Sequence, residues 1–423
     1  MTVHGPDSTD PGETFDLNSA DFVRDPFGCF ARMRERPGLT RGVIPGVDPM
    51  WVATRYEDVR MVMTDARFLI DAASVRARDV AHRTEQTWQA RGMFTGYEKY
   101  LRAALFDADG PDHRRLRGLV SRVFSARAVA RLRPAIEAVA EDLLGRLRSR
   151  ARDGVVDLIP HFARPLPITV ICELIAVPPP DRDRWQHHSS VLTSGVCGPE
   201  LGEALRGMVD DAHRLVELHR ADPGEDLVSE LITAQDADGG RLDTTEMVSL
   251  IVNLIVAGHV TTVNLIANGT LALLTHPDQL ALVRDDTSRM PGTVEETMRW
   301  CGPVLRALPR YATEDVTVGG TVVRKGESVI PILGGANHDP HAYTEPRLFD
   351  IMRAQTGQDA GHLGFGHGVH RCLGAHLAQQ EGEVAMAALL RQFPDLALAV
   401  APQDLRRGTN PVNWHLKELP VRL

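Results

Sequence analysis

Ten residues, FGHGVHRCLG at 365–374, carry the clearest chemistry in the chain. Cys372 offers one sulfur, and a lone thiolate can hold a metal if the backbone lets a flat cofactor come close. Gly366 and Gly368 permit tight turns and close approach. Gly374 leaves room for something bulky against the helix that follows. The pattern starts that helix near Cys372, where the partial positive charge of a helix end favours thiolate over thiol. Amide N–H groups of the same turn can hydrogen-bond the sulfur and tune its electron donation. An isolated free cysteine is most often a small buried hydrophobe. That reading does not account for Phe365, three glycines and His370 gathered around this one.

The other cysteines, at 29, 172, 197 and 301, are widely spaced and form no CxxC pair. A zinc ribbon, a redox CxxC centre and a disulfide scaffold are therefore not expected. Three further groups have chemical spacing. His113 and Arg117, in GPDHRRLRGLVSRVFS, lie four apart and can present two donors from one helix side to a carboxylate. Glu296 and Arg299, in VEETMRW, lie three apart and can pair. In AGHVTT, 257–262, Ala257 and Gly258 are small, and Thr261 brings a hydroxyl.

These groups need elements to hold them. The longest apolar run, SLIVNLIVAGHVTTVNLIANGTLALL, spans 249–274, with Asp243 and Glu246 in capping-box spacing ahead of it and His276–Pro277 behind. A helix of roughly 30 residues is about 45 Å long, enough to cross a bilayer. Asn253, His259, Thr261, Thr262, Asn264 and Asn268, with no flanking basic residues, predict instead a central helix crossing a protein core. Ser125 caps a second helix, with Leu132, Ile136, Val139, Leu143 and Leu147 on one face. Residues 168–177 read as a buried helix closed by Pro178–Pro180. Residues 182–218 read as two helices joined near Ser194–Pro199. Trp51, Val52 and Thr54 are strand-like, and a helix follows from Asp58 with Val59, Val62 and Met63 on one side. Segment 70–109 has no sustained period and reads as a long, partly helical loop, a type that is often functional. Gly319–Gly320 marks a β-hairpin. The last helix is expected from near Cys372 to about Phe393, with short strands and turns over 394–423. The fold class is mainly α with small β-sheets. Residues 1–15 are expected to form a flexible arm and 16–423 a single catalytic domain.

Of 423 residues, 43% are hydrophobic, enough for a sizeable core, and 47 basic against 56 acidic residues give a net charge of −9. Such a chain is a poor general nucleic-acid binder. Its polar start has no basic region followed by an apolar one, so neither a signal nor an anchor is expected there, and the expected location is cytoplasmic.

FGHGVHRCLG matches, at each specified position, the haem-binding signature F-G-x-G-x-H-x-C-x-G of the cytochrome P450 family. From about residue 20 to the C-terminus the chain resembles that family, most closely its soluble actinobacterial members of secondary metabolism. The resemblance implies a fold in which the long central helix crosses over a buried haem b, with Cys372 as axial iron ligand and Phe365, Gly366, His370 and Gly374 around the cofactor. It implies that His113, Arg117, Arg310 (in LPRYATEDV) and His370 meet the haem propionates. Glu296 and Arg299 correspond to the structural E-x-x-R pair. Ala257, Gly258 and Thr261 correspond to the groove where dioxygen binds.

The implied activity is a monooxygenase inserting one atom of O2 into a C–H or C=C bond of a medium-to-large apolar natural product, such as a polyketide or macrolide. The residues show no flavin or nicotinamide domain, so electrons are expected from a ferredoxin and a ferredoxin reductase, docking near Arg114, Arg115 and Arg371. A monomer is expected. The substrate pocket is expected from 70–105, 187–199, Leu254 to Val260, Val304–Leu308 and 409–413. Three positions depart from the family pattern. Val260 replaces the acid that relays protons, which keeps open a peroxide-using, coupling or rearranging enzyme, or a non-catalytic haem protein. His338 stands where arginine is usual. Leu348 stands where an arginine joins Glu296 and Arg299, leaving Arg347 as a substitute.

Overall fold

Helices carry most of the molecule, and small sheets close its edges, as expected from the sequence pattern. The computed structural model describes residues 13–75, 83–92, 96–103, 105–194, 197–237, 242–353 and 360–423. The helices that position the site are α1 (Pro26–Glu35), α2 (Tyr56–Thr64), α3 (Gly110–Ser121), α4 (Ala126–Arg150), α5 (Pro165–Leu174), α6 (Arg182–Thr193), α7 (Pro199–Ala221), α8 (Thr244–Thr275), α9 (Met290–Cys301) and α10 (Ala375–Gln392). The strands are β1 (Thr14–Asp16), β2 (Thr40–Ile44), β3 (Val47–Ala53), β4 (Phe68–Leu69), β5 (Val155–Asp157), β6 (Arg310–Ala312), β7 (Val316–Val318), β8 (Thr321–Val323), β9 (Ser328–Pro331), β10 (Ala397–Leu398) and β11 (Pro420–Arg422).

Helix α8 organises the core. Its capping box forms: Glu246 N–H donates to Asp243 Oδ1 at 2.8 Å, and Asp243 N–H donates to Glu246 Oε2 at 3.0 Å. Being apolar on most sides, it has no solvent face and packs against α5, α6, α7, α9 and α10. By length and composition it could cross a membrane, but 67% of its most apolar window is buried inside the protein. Helix α4 begins as expected, with Ser125 Oγ accepting from Ala128 N–H. Ile136 and Leu147 are fully buried, while Leu132, Val139 and Leu143 pack partly exposed against the same core.

The main sheet runs β1-β2-β3-β9-β6-β4. The pairing of β6 with β9 sets Arg310 opposite Val329, which fixes Arg310 at the start of its strand. Strands β7 and β8 form the expected hairpin, with Gly319 at φ 55° and Gly320 at φ 85°. Both values are left-handed, as a two-residue turn matching strand twist requires.

Several expectations change. The last helix begins at Ala375, three residues after Cys372, because a 3₁₀ turn at Gly368–His370 and the non-helical Gly374 precede it. Of the expected arm, residues 14–16 form β1, paired in parallel with β2, and residues 1–12 lie outside the described residues. In segment 70–109, helices occupy Arg83–Ala90 and Glu98–Arg102, and residues 76–82, 93–95 and 104 lie outside the described residues.

Candidate active site

The loop before α10 is a tight frame. Cys372 N–H donates to Phe365 O at 2.8 Å, and Gly366 N–H donates to Leu363 O at 2.8 Å. Gly366 and Gly368 lie at φ 70° and 71°. A Cβ on Gly368 would stand 2.6 Å from Met63 O at the end of α2, so only glycine fits there. At Gly374 a Cβ would meet nothing within 4 Å, an open space beside the start of α10. Cys372 is surrounded by protein yet keeps accessible surface, so that surface opens onto an interior space. Burial pushes its thiol up, while the Gly374 N–H, Arg371 and Arg117 pull the other way. The sulfur thus has the amide donor that the sequence reading required, from a turn and not from a helix end.

Four donors converge near this loop. His113, on α3, is buried, and its ring lies 4.2 Å from that of His370, inclined by 48°. Burial, then His370 and Arg117, lower His113 to about 4. His113 Nε2 has no hydrogen-bond partner. His370 Nε2 lies 3.5 Å from Asp109 Oδ1. Arg117 Nη2 donates to Arg371 O at 2.8 Å, one residue before the thiol. Arg310 is buried and makes one hydrogen bond, Nη1 to Leu308 O at 2.9 Å; burial lowers it to about 10 against the pull of Asp109 and Asp107. Asp107 is itself pushed up to about 7 by burial and by Asp71 and Asp109. Buried donors with spare capacity beside an accessible thiol fit a cofactor that carries carboxylates and one metal.

Helix α8 supplies the opposite wall. Asn253, Val256, Ala257, Gly258, Val260 and Thr261 keep partial exposure, while Leu254, Ile255, His259 and Thr262 are buried. The exposed set repeats at three and four, so one face of an otherwise buried helix opens inward. Thr261 Oγ1–H donates to Ala257 O at 2.6 Å. A Cβ on Gly258 would face Ile171 of α5 at 3.6 Å, so Gly258 lies against α5. His259 turns to α6, where its Nδ1 lies 3.0 Å from Ser189 Oγ; burial lowers it to about 3.

Glu296 and Arg299 form a buried bidentate pair, with both contacts at 2.7 Å. A surface pair would have been worth little. This one is a hub: Arg299 also donates to Asn337 O, Pro346 O and Leu348 O, and Glu296 Oε1 accepts from Asp350 N–H. The third member is Arg353, whose Nε reaches Glu296 Oε1 at 3.4 Å. Leu348 gives only its carbonyl, and its side chain is 48% exposed. Arg347 does not substitute; its carbonyl accepts from Trp300 Nε1. His338 is half-buried, 4.6 Å from the Phe27 ring, and is lowered to about 3 by desolvation, then by Arg299, so no charge replaces the usual arginine. Arg115, expected on a free basic face, is bound to Glu246 at 2.5 Å.

Sequence reasoning missed Asp109, Arg353 and Glu381. Glu381, on α10, is buried, and its carboxyl is hydrogen-bonded to Thr262 of α8; burial raises it well above the usual carboxylate range. In the sequence it stands among Gln379, Gln380 and Glu383, so nothing marked it as buried.

The model of the family described as Cytochrome P450 matches residues 208–404. Cytochrome P450 107B1 of Saccharopolyspora erythraea is 41% identical over 97% of this chain and 98% of its own length. The 6-deoxyerythronolide B hydroxylase of the same organism is 38% identical over 96% and 98%. The structure of the tirandamycin C-bound P450 monooxygenase TamI superposes with a TM-score of 0.87 at 37% identity, covering 97% of this chain and all of that one. The chain belongs to the cytochrome P450 family. It is a monooxygenase whose cofactor is haem b, using O2 and redox partner proteins on an apolar substrate.

Proposed function

We propose that Cys372 would supply the thiolate that ligates the haem iron, seated by the Phe365 carbonyl, the Gly374 amide and the glycines at 366 and 368. His113, His370 and Arg310 hold the propionates, with Arg117 bracing the loop through Arg371 O. Haem b held there would supply the activation of dioxygen and the transfer of one oxygen atom to carbon. The chain's own part is to bind, orient and keep water out. Ala257, Val256 and Val260 give an apolar wall, and Gly258 lets α8 lie close to α5. Thr261 holds its proton on Ala257 O, on the face of α8 that opens inward, where its hydroxyl would serve proton delivery.

The substrate is a medium-to-large, mostly apolar natural product of polyketide or macrolide type, in line with the hydroxylase of 6-deoxyerythronolide B and the tirandamycin C-bound TamI among its relatives. Electrons come from a ferredoxin and its reductase. The contact face centres on exposed Val369, with exposed Arg114 and Arg371 beside it. The enzyme acts as a cytoplasmic monomer.

The observation that carries this reading is the set of buried donors with spare capacity, His113 Nε2 without a hydrogen-bond partner and Arg310 with one bond to a carbonyl, gathered with His370 beside an accessible Cys372. The test is the CO difference spectrum of the reduced protein. The red-shifted Soret band that gives the family its name is expected, and Cys372→Ser removes it. A band typical of imidazole-ligated haem in intact protein would overturn the assignment.

A second reading, a peroxide-using or rearranging enzyme, is favoured by one observation: the open face of α8 carries no ionisable group among the described residues. Product formation with peroxide alone, and none with ferredoxin, reductase and NADPH, would establish it.

A further inference from the structure

Four arginines are buried among the described residues: Arg299, Arg306, Arg310 and Arg353. Arg299 and Arg353 share Glu296. Arg310 bonds a carbonyl and feels Asp109 and Asp107. Arg306 has none of this. It is 6% exposed, its Nη1 has no hydrogen-bond partner, and no carboxylate lies close enough to affect it. Burial alone lowers it to about 10, so it keeps its charge at neutral pH. A buried charge without a partner is strongly unfavourable, and buried polar groups in folded proteins are nearly always satisfied.

The backbone around Arg306 is pinned. Leu305 N–H donates to Val412 O at 2.9 Å, Leu305 O accepts from Gly334 N–H at 3.0 Å, and Ala307 N–H donates to Pro331 O at 2.9 Å. Leu305 packs into the cluster of Phe30, Met50, Val52, Ile330 and Ile332. The next side chain, Arg306, is buried at this same pinned segment. The neighbouring turn carries Asn410, whose Nδ2 donates to Thr193 O at the end of α6, 2.9 Å away. Segment 304–308 and turn 409–413 are two of the expected pocket walls, and here they are bonded together and to a third.

We propose that Arg306 is the anchor for a carboxylate on an otherwise apolar substrate. The inference rests on the monooxygenase site proposed above and names the class of molecule it takes: a hydrophobic acid whose charged end is fixed by the guanidinium fork while its apolar body lies along α8. One polar contact in an apolar pocket fixes orientation, which is what a regioselective oxidation needs. The porphyrin propionates have their own donors in His113, His370 and Arg310, which leaves Arg306 to the substrate.

The test uses the haem-loaded enzyme, with dodecanoic acid and its methyl ester as probes, read by the spin-state shift of the haem. The acid should bind more tightly than the ester by roughly tenfold to a hundredfold, the range of a hydrogen-bonded charge. Arg306→Gln should abolish that preference and leave the ester unchanged, and Arg306→Lys should keep part of it. Equal binding of acid and ester, or binding of neither, overturns the proposal. Loss of haem in Arg306→Gln also overturns it, since that would assign the residue to a propionate. The CO difference spectrum of the same samples separates this failure from failure of the haem-thiolate reading. Thermal melting gives an independent check. Arg306→Met should raise the melting temperature of the substrate-free holoenzyme by removing an uncompensated charge, and a fall would reveal a structural partner and overturn the proposal.

Discussion

Arg353 reaches Glu296 at 3.4 Å and completes a buried network whose expected third member, residue 348, is a surface leucine. The charge has moved five residues along the chain while its target has stayed fixed. Buried acids need their compensation from somewhere, and the loop 344–353 folds so that Arg353 also bonds Thr344 O and Leu348 O.

This relocation gives a stability prediction. Glu296→Gln should destabilise the protein by about 3–5 kcal/mol, because two arginines are left buried without their carboxylate. Arg353→Met should cost less, since Arg299 still pairs. Leu348→Arg should leave the unfolding midpoint within about 0.5 kcal/mol of wild type, as an exposed position remote from such features. Urea denaturation of the three variants checks the order. A clear gain from Leu348→Arg would mean that Arg353 is a poor substitute.

The histidine pair predicts how firmly haem is held. His113→Phe and His370→Phe should each speed haem loss to an acceptor apoprotein, by roughly tenfold per lost hydrogen bond to a carboxylate. Unchanged haem loss in both variants would remove these rings from the propionate site.

His338 predicts acid sensitivity. Its folded value of about 3 lies below its ordinary 6.5, so the unfolded chain takes up the proton first. The stability owed to the neutral ring is present above pH 6.5 and is lost as pH falls toward 3. Melting temperature should fall across that window, and His338→Gln should flatten part of the slope. The same slope in the variant would exclude His338 as a source.

Thr261→Ala should separate electron use from product. NADPH consumption should continue, while product per NADPH drops by about an order of magnitude or more, with hydrogen peroxide released instead. Val260→Asp, which adds a carboxylate to the open face of α8, should leave coupling equal or better. Full coupling in Thr261→Ala would show that protons arrive by another route, and the buried Glu381 carboxyl against Thr262 is the first place to look.

Local signals were readable because their causes are local. Ser125, the Asp243–Glu246 box and Gly319–Gly320 act on atoms a few residues away, and each did so as expected. The ten-residue signature was readable because two of its glycines, Gly366 and Gly368, must accept left-handed backbone. What escaped were partners set by tertiary closure. Arg115 was committed to Glu246 across two helices, Asp109 to His370 across the site, and Arg353 to Glu296 through a loop. The start of α10 slipped by three residues because periodicity does not register the 3₁₀ turn before Ala375.

The amide of Asn410 holding the last turn of α6 is a single clasp between parts of the chain far apart in sequence. One neutral hydrogen bond contributes about 1 kcal/mol, comparable to thermal energy. That bond is weak enough for thermal motion to break and remake it, so its strength alone does not lock the turn at 409–413 to the end of α6.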